Sequence, residues 1–129
     1  MRMTERYSEW RPASVTGPTV ALRALRGDDD GLVVSVDAGG QLIEIAFGRV
    51  VAFRSILEEA CVDFWSEFHR GGTRQSPFWV VEDSAWLASF SEADLCLYSD
   101  ARHYMIVTDE ERIDVITDRE PVARAAGAV

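Results

Sequence analysis

Two hairpin patterns constrain this chain more than any other feature. Residues 32–37 and 42–47 are rich in Val and Ile and flank Ala38-Gly39-Gly40-Gln41. Paired glycines supply the positive φ that a tight hairpin turn requires. On the second arm Ile43, Ile45 and Phe47 fall on one face and Glu44 on the other, the period-two signature of a half-buried strand. Residues 103–108 and 111–117, joined by Asp109-Glu110, repeat the pattern. Such a chain must build an antiparallel sheet.

The flanking segments read more weakly. Residues 19–25 put Val20, Leu22 and Ala24 on one face, which predicts a first strand before the turn Gly27-Asp28-Asp29-Asp30-Gly31. Gly48-Arg49 suits a bulge or turn, and 50–54 continues as strand. Residues 78–81 read as a short strand, and 95–98 as an edge strand. Asp83 or Ser84 is placed to cap a brief helix running to Phe90 or Glu92. Residues 1–17, Arg-rich and broken by Pro12, Gly17 and Pro18, predict an irregular arm anchored by Tyr7 or Trp10. Residues 121–129 predict a loose tail.

The strongest helical signal covers 57–70. Leu57, Cys61, Phe64 and Phe68 share one helical face, with Trp65 at its rim. Ser55 followed by Glu58 resembles a capping box. Glu58 and Glu59 at the start and His69 and Arg70 at the end suit the helix dipole, and Gly71 suits the C-terminal cap. The fold expected is therefore α+β. A largely antiparallel sheet built from hairpins carries one long amphipathic helix and one short helix, in a single domain over 1–129 with 19–117 as the folded body.

Composition narrows the function. Of 129 residues, 13 are basic and 22 acidic, a formal charge of −9. Residues 1–27 hold five Arg against two Glu, net +3; the rest hold eight Arg against 20 acids, net −12. An acidic body repels phosphate backbones and attracts a basic protein. Nucleic acid is excluded on this ground. No apolar run reaches the roughly 20 residues of a membrane helix, and the N-terminus has no apolar signal region, so a cytoplasmic protein is expected. Cys61 and Cys96 read as reduced, buried thiols.

No motif survives as a catalytic centre. Three adjacent Asp at 28–30 lack the alternate spacing and distant Glu of a calcium loop, and read as turn chemistry. Cys61 and His69 are about 12 Å apart along a helix axis. Cys96 and His103 would need an oxyanion hole and an orienting group that nothing supplies. Two His without a Cys-x-x-Cys exclude a structural zinc site. Neither Gly39-Gly40 nor Gly71-Gly72 continues as a phosphate loop. Neither an enzyme nor a cofactor is expected.

Residues 47–117 also carry a resemblance. It runs through Phe-Gly-Arg-Val-Val-Ala-Phe-Arg, Phe-Trp, and Phe-Trp-Val-Val-Glu-Asp-Ser-Ala-Trp-Leu-Ala-Ser-Phe. It ends in Arg-His-Tyr-Met-Ile-Val-Thr-Asp-Glu-Glu-Arg-Ile-Asp-Val-Ile-Thr. The pattern resembles small uncharacterised bacterial proteins encoded beside polymorphic toxins, a group of immunity proteins. Trp86, Phe90, Tyr104 and Val115 match as core positions, and no binding residue is carried over. The resemblance implies stoichiometric occlusion of a cognate protein toxin, one with a basic active-site cleft where the acidic surface is the match. The acids expected to meet it are Asp63, Glu67, Asp109 and Glu110, in a monomer or homodimer. A small-molecule-binding or regulatory domain, with a pocket between sheet and helix, is the alternative.

Overall fold

The computed structural model describes residues 5–12, 19–70 and 76–128, and of His69, Arg70 and Ala128 the backbone alone. Gly71 and Gly72 lie outside the described residues. The elements are β1 (Arg6–Glu9), β2 (Ala21–Asp28), β3 (Gly31–Ala38), β4 (Gln41–Phe47), β5 (Val50–Leu57), α1 (Val62–Arg70), β6 (Phe78–Glu82), α2 (Ala85–Ala88), β7 (Arg102–Val107), β8 (Glu111–Thr117) and β9 (Val122–Ala128).

Both hairpins form. β3 and β4 pair in register across Gly39 and Gly40, whose φ values are 65° and 92°. β7 and β8 pair across the turn at Asp109-Glu110. The strands make two antiparallel sheets, with order β1-β6-β7-β8-β5 and β2-β3-β4-β9. The chain passes between them at Gly48-Arg49, where Arg49 takes φ 50°. Facing apolar rows fill the space between the sheets: Val34, Val36, Ile43, Ile45 and Phe47 from one side, Phe78, Tyr104, Ile106, Ile113 and Val115 from the other.

The long amphipathic helix expected over 57–70 is not there. Strand accounts for 55% of the chain and helix for 13%, so the fold is a two-sheet, mostly antiparallel structure and not a single sheet under a long helix. The competition is local. Val50–Leu57 pairs residue by residue with β8 down to Leu57↔Glu111, so the strand ladder takes Ser55 and Leu57 from the helix. A 3-10 turn over Glu58–Ala60 follows, Cys61 leaves helical geometry at φ −141°, and only nine residues remain for α1. The helical stripe survives in part. Trp65 and Phe68 bury against Trp79, Val81, Met105 and Val107 on the outer face of the five-stranded sheet, with Tyr7, Cys61 and Phe64 at the margin. Leu57, the predicted start of the stripe, is 51% exposed.

Four other expectations change. The arm contains β1, which pairs with β6, and Trp10 packs on Phe47, Phe78 and Tyr104. The tail is β9, paired with β4. Residues 95–98 form turns and no strand. Cys61 is half-buried and Cys96 exposed, so neither thiol is buried.

Candidate functional site

Polar chemistry concentrates on the outer face of the five-stranded sheet. Asp114 of β8 is fully buried there and its carboxylate accepts four hydrogen bonds. Oδ1 accepts from His103 Nε2 at 2.6 Å and from an Arg112 guanidinium nitrogen at 2.8 Å; Oδ2 accepts from Arg112 Nε and Arg54 Nε, each at 2.9 Å. Beyond the imidazole, Ser84 Oγ stands 2.7 Å from His103 Nδ1 and accepts the Leu87 amide at 3.0 Å, capping α2. An ionised Asp114 only accepts, so Nε2 carries a proton; with the ring neutral, the Ser84 hydroxyl donates to Nδ1.

Register explains how residues so distant in sequence meet. His103↔Ile116, Met105↔Asp114 and Arg54↔Asp114 place their side chains on one face. Ser84 follows β6. The groups therefore run across the sheet in strand order β6, β7, β8, β5. Rings close the flanks: Arg54 lies over Trp86 at 4.2 Å, Arg112 over Phe64 at 4.0 Å, and Trp86 meets His103 edge-on at 5.3 Å. Burial alone would push the Asp114 carboxyl up. The His103 hydrogen bond and the charge and hydrogen bonds of Arg112 outweigh burial and hold it well below the usual carboxylate range.

A serine, a histidine and an aspartate in sequence invite an acyl-transfer reading, and Ser84 and His103 line a depression of about 360 Å³. The charge balance counts against it. A serine nucleophile needs its imidazole to become cationic, and an otherwise unshared carboxylate stabilises that cation. Here one carboxylate already faces two guanidiniums. A unit pair about 4 Å apart interacts by roughly 4 kcal/mol at an effective dielectric of 20. Repulsion from Arg54 and Arg112 therefore offsets the attraction of Asp114 for a third cation. The contacts tie the cap of α2 to β7, β8 and β5, an arrangement termed the clasp.

Both imidazole nitrogens of His103 are engaged, by Ser84 and Asp114, so His103 is not paired with Cys96. Among the described residues no group of three or more His, Cys, Asp or Glu is placed to hold a metal ion. Asp28 Oδ1 instead accepts the Asp30 amide at 2.8 Å, which is turn chemistry. Beneath α1, where the alternative reading expects a pocket, Trp65 and Phe68 pack on Trp79 and Met105.

The four acids singled out from sequence are all exposed. Asp109 and Glu110 sit in the β7–β8 turn, where the Asp109 carboxylate accepts Thr19 Oγ1 at 2.5 Å. The Glu58 amide donates to the Glu110 carbonyl at 2.8 Å. That bond brings Glu58 and Glu59 beside Asp109 and Glu110 as one acidic corner. Asp63 and Glu67 lie one turn apart on α1. Sequence reasoning placed Glu58 and Glu59 on the surface of a helix's first turn and so did not join them to Asp109 and Glu110, and it did not join Ser84 to Asp114 because their meeting depends on strand register.

No protein-family model, curated protein or solved structure matches this chain. Among the described residues no helix is long and apolar enough to cross a membrane.

Proposed function

We propose that this protein acts by stoichiometric binding to a basic protein partner, in the manner of an immunity protein occluding its cognate toxin. The observation that carries the reading is the acidic corner. Glu58, Glu59, Asp109 and Glu110 come from two separated segments and gather, exposed, around one backbone hydrogen bond. Like charges held together on a rigid sheet end cost folding energy and are relieved by a cationic partner. The buried chemistry points the same way, since the Asp114 cluster has its charges already committed to one another. The toxin version rests on the sequence resemblance. The immunity version is tested by growth rescue: the C-terminal domain of the adjacent upstream reading frame is expressed in a bacterial host with and without this protein. Restored growth and 1:1 binding by calorimetry are expected, weakened by Glu58→Lys with Glu110→Lys. A domain that kills despite the protein removes the immunity version. A panel of basic protein domains that all fail to bind removes the basic-partner reading.

A further inference from the structure

We propose that the free edge of β5 takes up an extended, basic segment of that partner as an added antiparallel or parallel strand. The inference rests on the basic-partner reading and specifies where and how the partner docks.

Hydrogen-bond direction comes first. The Thr108 amide donates to the Glu111 carbonyl, and the Glu58 amide donates to the Glu110 carbonyl. Along β8, therefore, Glu111, Ile113 and Val115 direct their backbone groups at β7, and Glu110, Arg112 and Asp114 direct theirs at β5. On β5 the partners of the latter are Glu58, Ile56 and Arg54. Phe53, Ser55 and Leu57 consequently aim N–H and C=O away from the sheet. Among the described residues no strand but β8 pairs with β5.

The other sheet edges are blunted in the ways edges usually are. β1 has four residues. β2 carries a bulge between Leu22 and Ala24 and exposes Arg23 and Arg26. β9 is Ala-rich with a register shift against β4. β5 has eight residues, no Pro or Gly, and one charge, Arg54, which is committed to Asp114. Its irregularity lies at the start, between Val50 and Ala52, and leaves 53–57 regular. Phe53 and Leu57 stand 50% and 51% exposed on the same face.

Charge sets the occupant. At the start of β5 a groove of about 740 Å³ is lined by Val50–Phe53, by Gly27, Asp28 and Asp29, and by Arg49, whose charge is paired with Asp118 at 3.5 Å. At its end lie Glu58, Glu59, Asp109 and Glu110. The open edge, roughly 25 Å long at about 3.3 Å per residue, thus has acids beside its first half and at its end. A second copy, itself at −9, meets like charge there. An extended segment with alternate apolar residues and a basic residue at each end satisfies backbone, Phe53 and Leu57, and both groups of acids together.

The test uses a synthetic nine-residue peptide of alternating Thr and Val with Arg at both ends, read by fluorescence anisotropy against the full chain. A peptide with Glu at both ends is the control. Ser55→Pro removes an outward N–H at an edge position where Pro is tolerated; Phe53→Glu and the double change Asp28→Lys, Asp29→Lys leave the backbone intact. Circular dichroism identifies which variants fold. Saturable 1:1 binding of the Arg-ended peptide is expected, about ten-fold weaker for the Glu-ended peptide and for each folded variant. Binding indifferent to Ser55→Pro and Phe53→Glu overturns the strand mode and leaves the basic-partner reading standing. Equal binding of both peptides overturns the choice of a basic occupant. A chain that sediments as a dimer, and as a monomer after Ser55→Pro, gives the edge to a second copy and overturns the proposal. A peptide that does not bind, with growth rescue intact, overturns the strand mode alone; failure of both removes the reading beneath it.

Discussion

His103 Nε2 donates to Asp114 Oδ1 across 2.6 Å, and neither side chain has any exposed surface. The pair is the midpoint of a chain of contacts that starts at Ser84 and ends at Arg54, crossing β7, β8 and β5. Removing one partner of a buried, hydrogen-bonded charge group leaves the others uncompensated, at a cost of about 3–5 kcal/mol. Asp114→Ala should lower stability by that amount in urea unfolding. Arg54→Ala should cost only about 1–2 kcal/mol, because Arg54 is partly exposed and Arg112 still holds the carboxylate. Equal losses for the two variants would mean that Asp114 is not the centre of the network.

The same carboxylate sets an acid limit. Its folded-state pKa lies below the unfolded value, so the unfolded chain binds the extra proton and stability rises with pH across that window. The contribution of Asp114 is complete above about pH 5 and is lost as pH falls through about 4 and below. Urea midpoints measured from pH 3 to pH 7 should fall on the acid side, and Asp114→Asn should flatten that limb. Parallel curves for the two proteins would assign the acid sensitivity to other groups.

Ser84 separates the clasp from a catalytic reading. Ser84→Ala removes the α2 cap and one partner of His103, so a loss of about 1–3 kcal/mol is expected. A fluorophosphonate probe, which labels activated serines, should leave the wild-type chain unmodified. Stoichiometric labelling lost in Ser84→Ala would show that Arg54 and Arg112 do not quench the imidazole as the charge balance requires.

What the sequence makes legible follows from range. The β3–β4 and β7–β8 hairpins are specified by neighbours: alternation fixes the face, and Gly39-Gly40 or Asp109-Glu110 fixes the turn. Ser84 as the cap of α2 is local in the same way. The helix over 57–70 failed because its expected cap and first residue, Ser55 and Leu57, had a second use, β pairing with Ile113 and Glu111, visible only once β8 was in place. Ser55 and Glu58 fit a capping box and a strand exit equally well. The Asp114 clasp was illegible for the same reason, since Arg54, Ser84, His103 and Asp114 share no spacing in sequence. Of the predicted partner-facing acids, Asp109 and Glu110 were found as a turn; Glu58 and Glu59 were read as surface acids of a helix, and their link to that turn depends on the pairing of β5 with β8.

The N-terminal segment shows how a polar stretch can supply core. Trp10 lies 5.1 Å from Tyr104 and 5.6 Å from Phe78, ring centre to ring centre, and Tyr7 meets Phe68 at 5.4 Å. One aromatic faces the space between the sheets and the other faces α1. Trp10→Ala should cost about 3 kcal/mol, the range for a large aromatic in a packed site. Tyr7 adds an alkaline counterpart to Asp114. Burial, with Glu5 beside it, pushes the phenol up to about 12, so the folded state holds that proton longer and stability falls as pH rises from 10 towards 12. Tyr7→Phe should remove that alkaline decline. A decline unchanged in Tyr7→Phe would place it elsewhere.

β9 covers an edge that the rest of the chain cannot. It pairs with β4 through Ile43↔Ala125 and Ile45↔Ala123, and Arg124 bridges to Glu44 at 2.8 Å. Its own residues are small, so their removal takes little apolar contact from the core. What removal exposes is the backbone of Gln41–Phe47, a regular strand rich in Ile and Leu with Glu44 its one charge. Truncation after Pro121 should therefore change association more than stability. A urea midpoint near that of the full chain is expected, with concentration-dependent sedimentation absent from the parent and suppressed by Ala46→Lys, whose side chain is exposed on the uncovered strand. A truncated chain that stays monomeric but unfolds at much lower urea would show that β9 holds the sheet together and does not merely cap it.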